Sequence, residues 1–145
     1  MLRFDVGDII RLDEIQECIC GRNTGLIVKS IEGRFINATL TCDGRLITLR
    51  ALDDTISALD GLEEYRLEQP SSGVYELHLA TKRGDKDKLS DEDTRILRKL
   101  YGKESVISII YEDYLSPEDS GKYMLAKTLF PLNVQDYLAT PNDLR

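Results

Sequence analysis

Glu63-Glu64-Tyr65-Arg66-Leu67-Glu68-Gln69, the turn Pro70-Ser71-Ser72-Gly73, and Val74-Tyr75-Glu76-Leu77-His78-Leu79-Ala80-Thr81 together decide the fold. Both flanking segments alternate apolar and polar residues, the period of a strand with one buried face. Tyr65 and Leu67 share a face of the first, and Tyr75, Leu77 and Leu79 share a face of the second. The Pro/Ser/Gly run between them is turn chemistry. Upstream the period changes. Leu49, Leu52, Ile56 and Leu59 recur at helical spacing, with Asp53 and Asp54 on the other side, which predicts a short amphipathic helix ended by Asp60-Gly61. Before it, Arg34 to Thr41 and Arg45 to Leu49 flank Cys42-Asp43-Gly44, and Asp-Gly between extended runs signals a hairpin. Downstream, Lys82 to Leu89 reads as a charged loop and Ser90 as the N-cap of a second helix. Asp91, Glu92 and Asp93 fill its first turn, where the helix dipole favours anions. Ile96, Leu97, Leu100 and Tyr101 form its apolar stripe, and Gly102 reads as its C′ residue. The apolar run Val106 to Tyr111 predicts a central strand.

From Arg45 onward the order is strand, helix, strand, strand, helix, strand. This predicts an α+β, ferredoxin-like β-α-β-β-α-β domain. Its sheet should be antiparallel and four-stranded over residues 34 to 112, with both helices on one face and an extra β segment at the N-terminus. Such folds serve many functions, so function must come from a site.

Composition narrows the classes. The 145 residues suit one domain. With 19 basic and 26 acidic residues the net charge is −7, and no Lys/Arg cluster interleaves with aromatics. Nucleic acid is therefore not an expected partner. Apolar runs such as Ile107 to Tyr111 fall far short of the ~20 residues of a membrane span. Met1-Leu2-Arg3-Phe4-Asp5 lacks an apolar signal core, and an odd set of 3 cysteines argues against a secreted disulfide scaffold. A cytoplasmic location without a membrane partner is expected. Composition leaves the oligomeric state open.

Four short signals remain: Phe4-Asp5-Val6-Gly7-Asp8, Glu32-Gly33-Arg34, Asp43-Gly44-Arg45 and Ser120-Gly121-Lys122. Singly, each is ordinary turn or loop chemistry. In this order, with Cys18-Ile19-Cys20-Gly21-Arg22 between the first two, the chain from Phe4 to about Lys127 resembles the C-terminal domain of adenylate-forming enzymes. The branch it resembles is the phenylacetate–CoA ligase group with its relatives in capsular polysaccharide gene clusters.

The resemblance implies an activity: a carboxylate and ATP give an acyl-adenylate and pyrophosphate, and a thiol such as CoA then takes the acyl group. It implies that residues 1–33 close the nucleotide-binding domain and lead into the hinge, that 34–127 form a mobile lid, and that 128–145 are a tail. Asp8 would accept hydrogen bonds from both ribose hydroxyls of ATP, a geometry natural to a carboxylate. Arg34 would stand at the hinge near ribose or phosphate, followed by Ile36 and Asn37. Relatives usually carry an acid or lysine where this chain has Ile36. Arg45 would make a contact in one domain orientation. Lys122 would be catalytic, its ammonium offsetting the charge that converges as carboxylate attacks the α-phosphate. ATP or AMP with Mg²⁺ and CoA are the cofactors implied for the complete enzyme, and none for this chain alone. The phosphate loop, adenine pocket and acyl pocket of these enzymes lie N-terminal to the Gly-Asp segment. The chain should be inactive alone, and its partner should be that N-terminal nucleotide-binding domain.

Other readings stand beside this one. Cys18 and Cys20 are candidate zinc thiolates that only Cys42 and His78 could complete within this chain, and without a second Cys-x-x-Cys free thiols are favoured. His78 reads as a solvent-facing or surface-paired histidine. Asp85 to Asp93 lacks the ligand spacing of an EF-hand loop and reads as a solvated stretch. A non-catalytic ferredoxin-like regulatory module for a small ligand is the alternative function, but it gives no reason for Lys122 or Asp8. A metal carrier is a third, poorer reading, since such domains keep a Cys-x-x-Cys on one loop.

Overall fold

The alternation around Ser72-Gly73 folds as a long antiparallel hairpin, seen in a computed structural model that describes residues 7–14, 18–21, 24–57, 62–81, 86–117, 121 and 123–137. In chain order the elements are β1 (Asp8–Leu12), β2 (Val28–Arg34), a 3₁₀ turn (Phe35–Asn37), β3 (Thr39–Leu40), β4 (Leu46–Ile47) and α1 (Leu49–Ile56). Then follow β5 (Leu62–Ser71), β6 (Val74–Thr81), α2 (Lys86–Tyr101), β7 (Val106–Glu112), β8 (Ala126–Thr128) and a second 3₁₀ turn (Val134–Tyr137). The main sheet has the order β7-β6-β5-β8, while among the described residues β1 pairs only with β2 and β3 only with β4.

The result is a small α+β domain whose sheet is mixed. The antiparallel expectation fails at both edges: β7 runs parallel to β6, and β8 runs parallel to β5. The cause lies around residues 34–49. Arg34 ends β2 and Phe35–Asn37 turn, so the expected Arg34 to Thr41 strand shrinks to Thr39–Leu40. Its partner shrinks to Leu46–Ile47, because Thr48 already caps α1 by accepting from the Ala51 N–H at 3.3 Å. That stub never reaches the sheet, so β7 returns over α2 directly to the side of β6. The run Val106 to Tyr111 is consequently an edge strand, not a central one. The place beyond β5 goes to Ala126–Thr128, which the expected sheet of residues 34 to 112 did not include. The helix α2 begins at Lys86, so Ser90 lies inside it and is not its N-cap. The stop signal Asp60-Gly61 lies outside the described residues.

Both helices lie on one sheet face, as expected. Leu52 and Ile56 of α1, Leu97 and Tyr101 of α2, and Tyr65, Leu67, Tyr75, Leu77 and Leu79 of the hairpin form one buried cluster. Gly102, at φ +115°, ends α2 in the left-handed region, and its N–H bonds the Arg98 carbonyl at 3.1 Å.

A polar stitch fastens the β3–β4 stub to this core. The fully buried Gln69 accepts from the Leu40 N–H at 2.8 Å and donates to the Leu40 carbonyl at 2.9 Å, replacing the strand partner that β3 lacks. The Tyr75 hydroxyl donates to the same carbonyl at 2.6 Å, and Thr39 shares a 2.7 Å hydrogen bond with the Tyr101 hydroxyl. Burial raises the Tyr75 and Tyr101 phenols above their ordinary range, so both stay protonated. From Ala38 onward the chain is thus held to the sheet.

Candidate functional site

Asp8 opens β1 and Arg34 closes β2, and the antiparallel register sets them directly opposite one another. Arg34 Nε stands 3.8 Å from Asp8 Oδ1. Both side chains are largely exposed, so the pair adds little stability and leaves the carboxylate accessible to another donor. One step further, the Phe35 N–H bonds the Gly7 carbonyl at 2.8 Å, which extends the ladder to the start of the 3₁₀ turn.

The residues behind this pair explain the Glu32-Gly33-Arg34 signal. Gly33 sits at φ +110°, and a Cβ there would meet Leu49 Cβ at 3.0 Å. Only glycine both adopts that backbone and lets the hairpin lie this close to α1. Glu32 is nearly buried and joins three elements. It accepts from the Ser30 hydroxyl at 2.5 Å, from Arg11 Nε at 3.2 Å and from the Thr48 hydroxyl at 3.3 Å. The Ser30 hydrogen bond, against the opposing effect of burial and aided by Arg11, holds its carboxyl below the usual carboxylate range.

Asp8 and Arg34 line a cleft of about 1060 Å³. The β1–β2 hairpin makes one wall, and the segment from Met124 through Tyr137 makes the other. Phe35 and Tyr137 stand with ring centroids 6.2 Å apart, and Lys127 also lines the cleft while its Nζ is held 3.3 Å from Glu68 Oε1. A mostly apolar cleft with a few convergent charges has the composition of a small-molecule site. The acid can take paired hydroxyls, the Arg34 guanidinium can take phosphate or carboxylate, and the rings can take a planar or apolar group.

The other expected residues fall as follows. Ile36 lines the cleft and is exposed, and Asn37 is half-buried, its Oδ1 enclosed without a hydrogen-bond partner. Arg45 is not brought to the cleft. It stands in the β3–β4 turn, paired with Asp43 at 3.0 Å and mostly exposed. Lys122 lies outside the described residues, as do Phe4, Asp5, Val6 and Ser120, while nearby Met124 lines the cleft. Cys18, Cys20 and Cys42 form no disulfide, and no cysteine joins a cluster of three ligand-bearing side chains among the described residues. His78 lies on the sheet face away from the helices, paired with Glu112 and well covered, which is the paired alternative of the two expected and not the solvent-facing one.

The wall formed by Phe130, Leu132, Val134 and Tyr137 has no counterpart in the four motifs. Its signal was the spaced apolar residues of a segment read as a tail. No family model matches the chain, and a search of curated proteins finds no match.

Proposed function

We propose that this chain is the C-terminal lid domain of an ATP-dependent acyl-adenylating ligase, a carboxylate–CoA ligase of the phenylacetate–CoA ligase type. One observation carries the reading: Asp8 and Arg34, distant in sequence and each drawn from a separate motif, meet by strand register at the mouth of an apolar cleft. On this reading Asp8 takes the ribose hydroxyls and Arg34 a phosphate oxygen, with Mg²⁺, ATP and CoA supplied through the complete enzyme.

The hinge assignment to Arg34, Ile36 and Asn37 is supported by what flanks it. Arg34 and Ala38 are both extended, and a single 3₁₀ turn joins them. The chain is clamped to the sheet after that turn and laddered into β1–β2 before it, so rotation would act on this short segment and would break the Glu32–Thr48 hydrogen bond across it. The exposed faces of Ile10, Ile31 and Ile36 suit contact with an N-terminal nucleotide-binding domain. Two helices on one face of a small α+β sheet are also the coarse form of a ferredoxin-like lid.

The test uses the complete enzyme. Lys122→Ala should slow pyrophosphate release by ~10²–10³, the usual cost of losing one well-placed electrostatic contact in the transition state. Given pre-formed acyl-adenylate, the same variant should transfer the acyl group to CoA at near wild-type rate. Equal losses in both half-reactions would make the lysine structural. No loss in either would remove the family reading.

A further inference from the structure

The sheet face opposite the helices carries a cluster of charged side chains beside Val106 and Ile110. Arg66 and Glu68 of β5, Glu76 and His78 of β6, Glu112 of β7 and Lys127 of β8 gather there, around His78 and Glu68 that are only 13% and 17% exposed. Register sets Glu68 directly opposite Glu76 on the neighbouring strand. Like charges in that position repel and destabilise a sheet.

The cations present relieve only part of this. Arg66 Nε and Lys127 Nζ both approach the same oxygen, Oε1 of Glu68, at 3.2 and 3.3 Å. Arg66 also reaches Glu112 at 3.5 Å. The Glu76 carboxylate has no hydrogen bond or ion pair among the described residues. Of Glu68, Glu76 and Glu112, the one that no cation reaches among the described residues is therefore Glu76.

His78 adds a separate observation. Its Nδ1 is hydrogen-bonded to the Glu112 carboxylate, and its Nε2 is buried with no partner among the described residues. A carboxylate on one imidazole nitrogen and an open lone pair on the other is the arrangement that orients a histidine toward a metal. Ligand atoms of His78, Glu68 and Glu76 lie within 4.8 Å of one another. One imidazole and two carboxylates suit zinc, with water completing the shell.

We propose that this face binds one divalent transition-metal ion, zinc being the probe of choice, through His78, Glu68 and Glu76, with Glu112 orienting the imidazole. The ion would offset the Glu68–Glu76 repulsion and use the nitrogen now left without a partner. The proposal does not rest on the nucleotide reading of the cleft.

The experiment takes the full 145-residue chain, stripped of metal by a chelator, and titrates it with Zn²⁺ alone, with Mg²⁺ as the control. We expect one-to-one binding at micromolar Kd or tighter by calorimetry. At about 100 times Kd the melting temperature should rise by roughly 5–10 °C, and Mg²⁺ should not reproduce the rise. Glu76→Gln and His78→Gln should abolish binding, and Glu112→Gln should weaken it roughly 10–100-fold. Glu76→Gln removes a repelling charge, so without metal it should melt no lower than the wild type, which separates lost ligation from lost folding. A chain with Cys18, Cys20 and Cys42 all changed to Ser should bind as before. Zinc binding no tighter than about 1 mM would overturn the proposal. So would binding that survives Glu76→Gln and vanishes with the cysteines.

Discussion

Gln69→Leu tests whether the sheet domain and the segment after the hinge form one rigid unit. Leucine is close to glutamine in volume and suits a site with no exposure, so the change removes polarity with little change in packing. Two hydrogen bonds to Leu40 disappear. The Leu40 carbonyl keeps the Tyr75 hydroxyl as donor, but the Leu40 N–H is orphaned. At about 1 kcal/mol for each lost bond, and about 1–3 kcal/mol for the stranded donor, the net cost should be about 2–4 kcal/mol after some gain from the added apolar surface. That is a large share of a typical stability of about 5–15 kcal/mol, and a fall of roughly 6–12 °C in melting temperature. Urea unfolding followed by circular dichroism measures it. A double-mutant cycle with Tyr75→Phe should be superadditive, because only the double variant strips both donors from the Leu40 carbonyl. A cost below about 0.5 kcal/mol, or simple additivity, would mean that the stub is not held by the stitch, and the pivot could not be confined to Phe35–Asn37.

Glu32→Gln should destabilise the chain at neutral pH and lose its effect in acid. The folded carboxyl is held below its ordinary value of 4.5, so the ionised group's contribution is full above that value and fades as pH falls through the lower, folded one. Stability curves of wild type and variant should therefore separate above the ordinary value of 4.5 and draw together as pH falls below it, and a constant separation into acid would refute the role given to the charge. On the lid reading, the isolated chain should bind ATP no more tightly than about 1 mM, roughly −4 kcal/mol, which Asp8 and nearby cations can supply without an adenine pocket. Micromolar binding by calorimetry would overturn that reading.

What was legible in the sequence was local. The alternation on either side of Ser72-Gly73 marked the hairpin and its buried face, and the spacing of Leu52, Ile56, Leu97 and Tyr101 marked the two inward helix faces. Pairing was not legible, because period alone does not say which strand lies beside which. The extended reading of Arg34 to Thr41 ran past a chain that turns at Phe35, and Leu46–Ile47 was cut short by the Thr48 cap. Edge strand β7 is apolar enough to pass for a central one, since its inner side chains meet α2 while its outer edge depends on topology. Of the site, Asp8 and Arg34 converge, yet the motifs gave no hint that Arg45 would be spent on Asp43. Nor did they mark Tyr137 as a cleft wall. Such residues meet only through long-range register, which no spacing encodes.

The cleft's second wall hangs on the shortest strand of the main sheet. Beyond the core contact of Ala126, the chain on either side of β8 is fastened by the Leu67 N–H to the Leu125 carbonyl and the Leu129 N–H to the Gln69 carbonyl, both at 2.9 Å. β8 closes a long chain loop back to β5, whereas the β5–β6 hairpin closes through a turn of two residues. Short, parallel and at an edge, it belongs to the least protected part of the native state, where brief openings occur without global unfolding. The Leu129 amide should therefore exchange its hydrogen with solvent much sooner than the β5–β6 amides. Opening of this wall would remove the cleft, so a molecule bound there should favour the closed wall and slow exchange at Leu129. In this fold ligand affinity and the local opening equilibrium of β8 are therefore linked, each biasing the other.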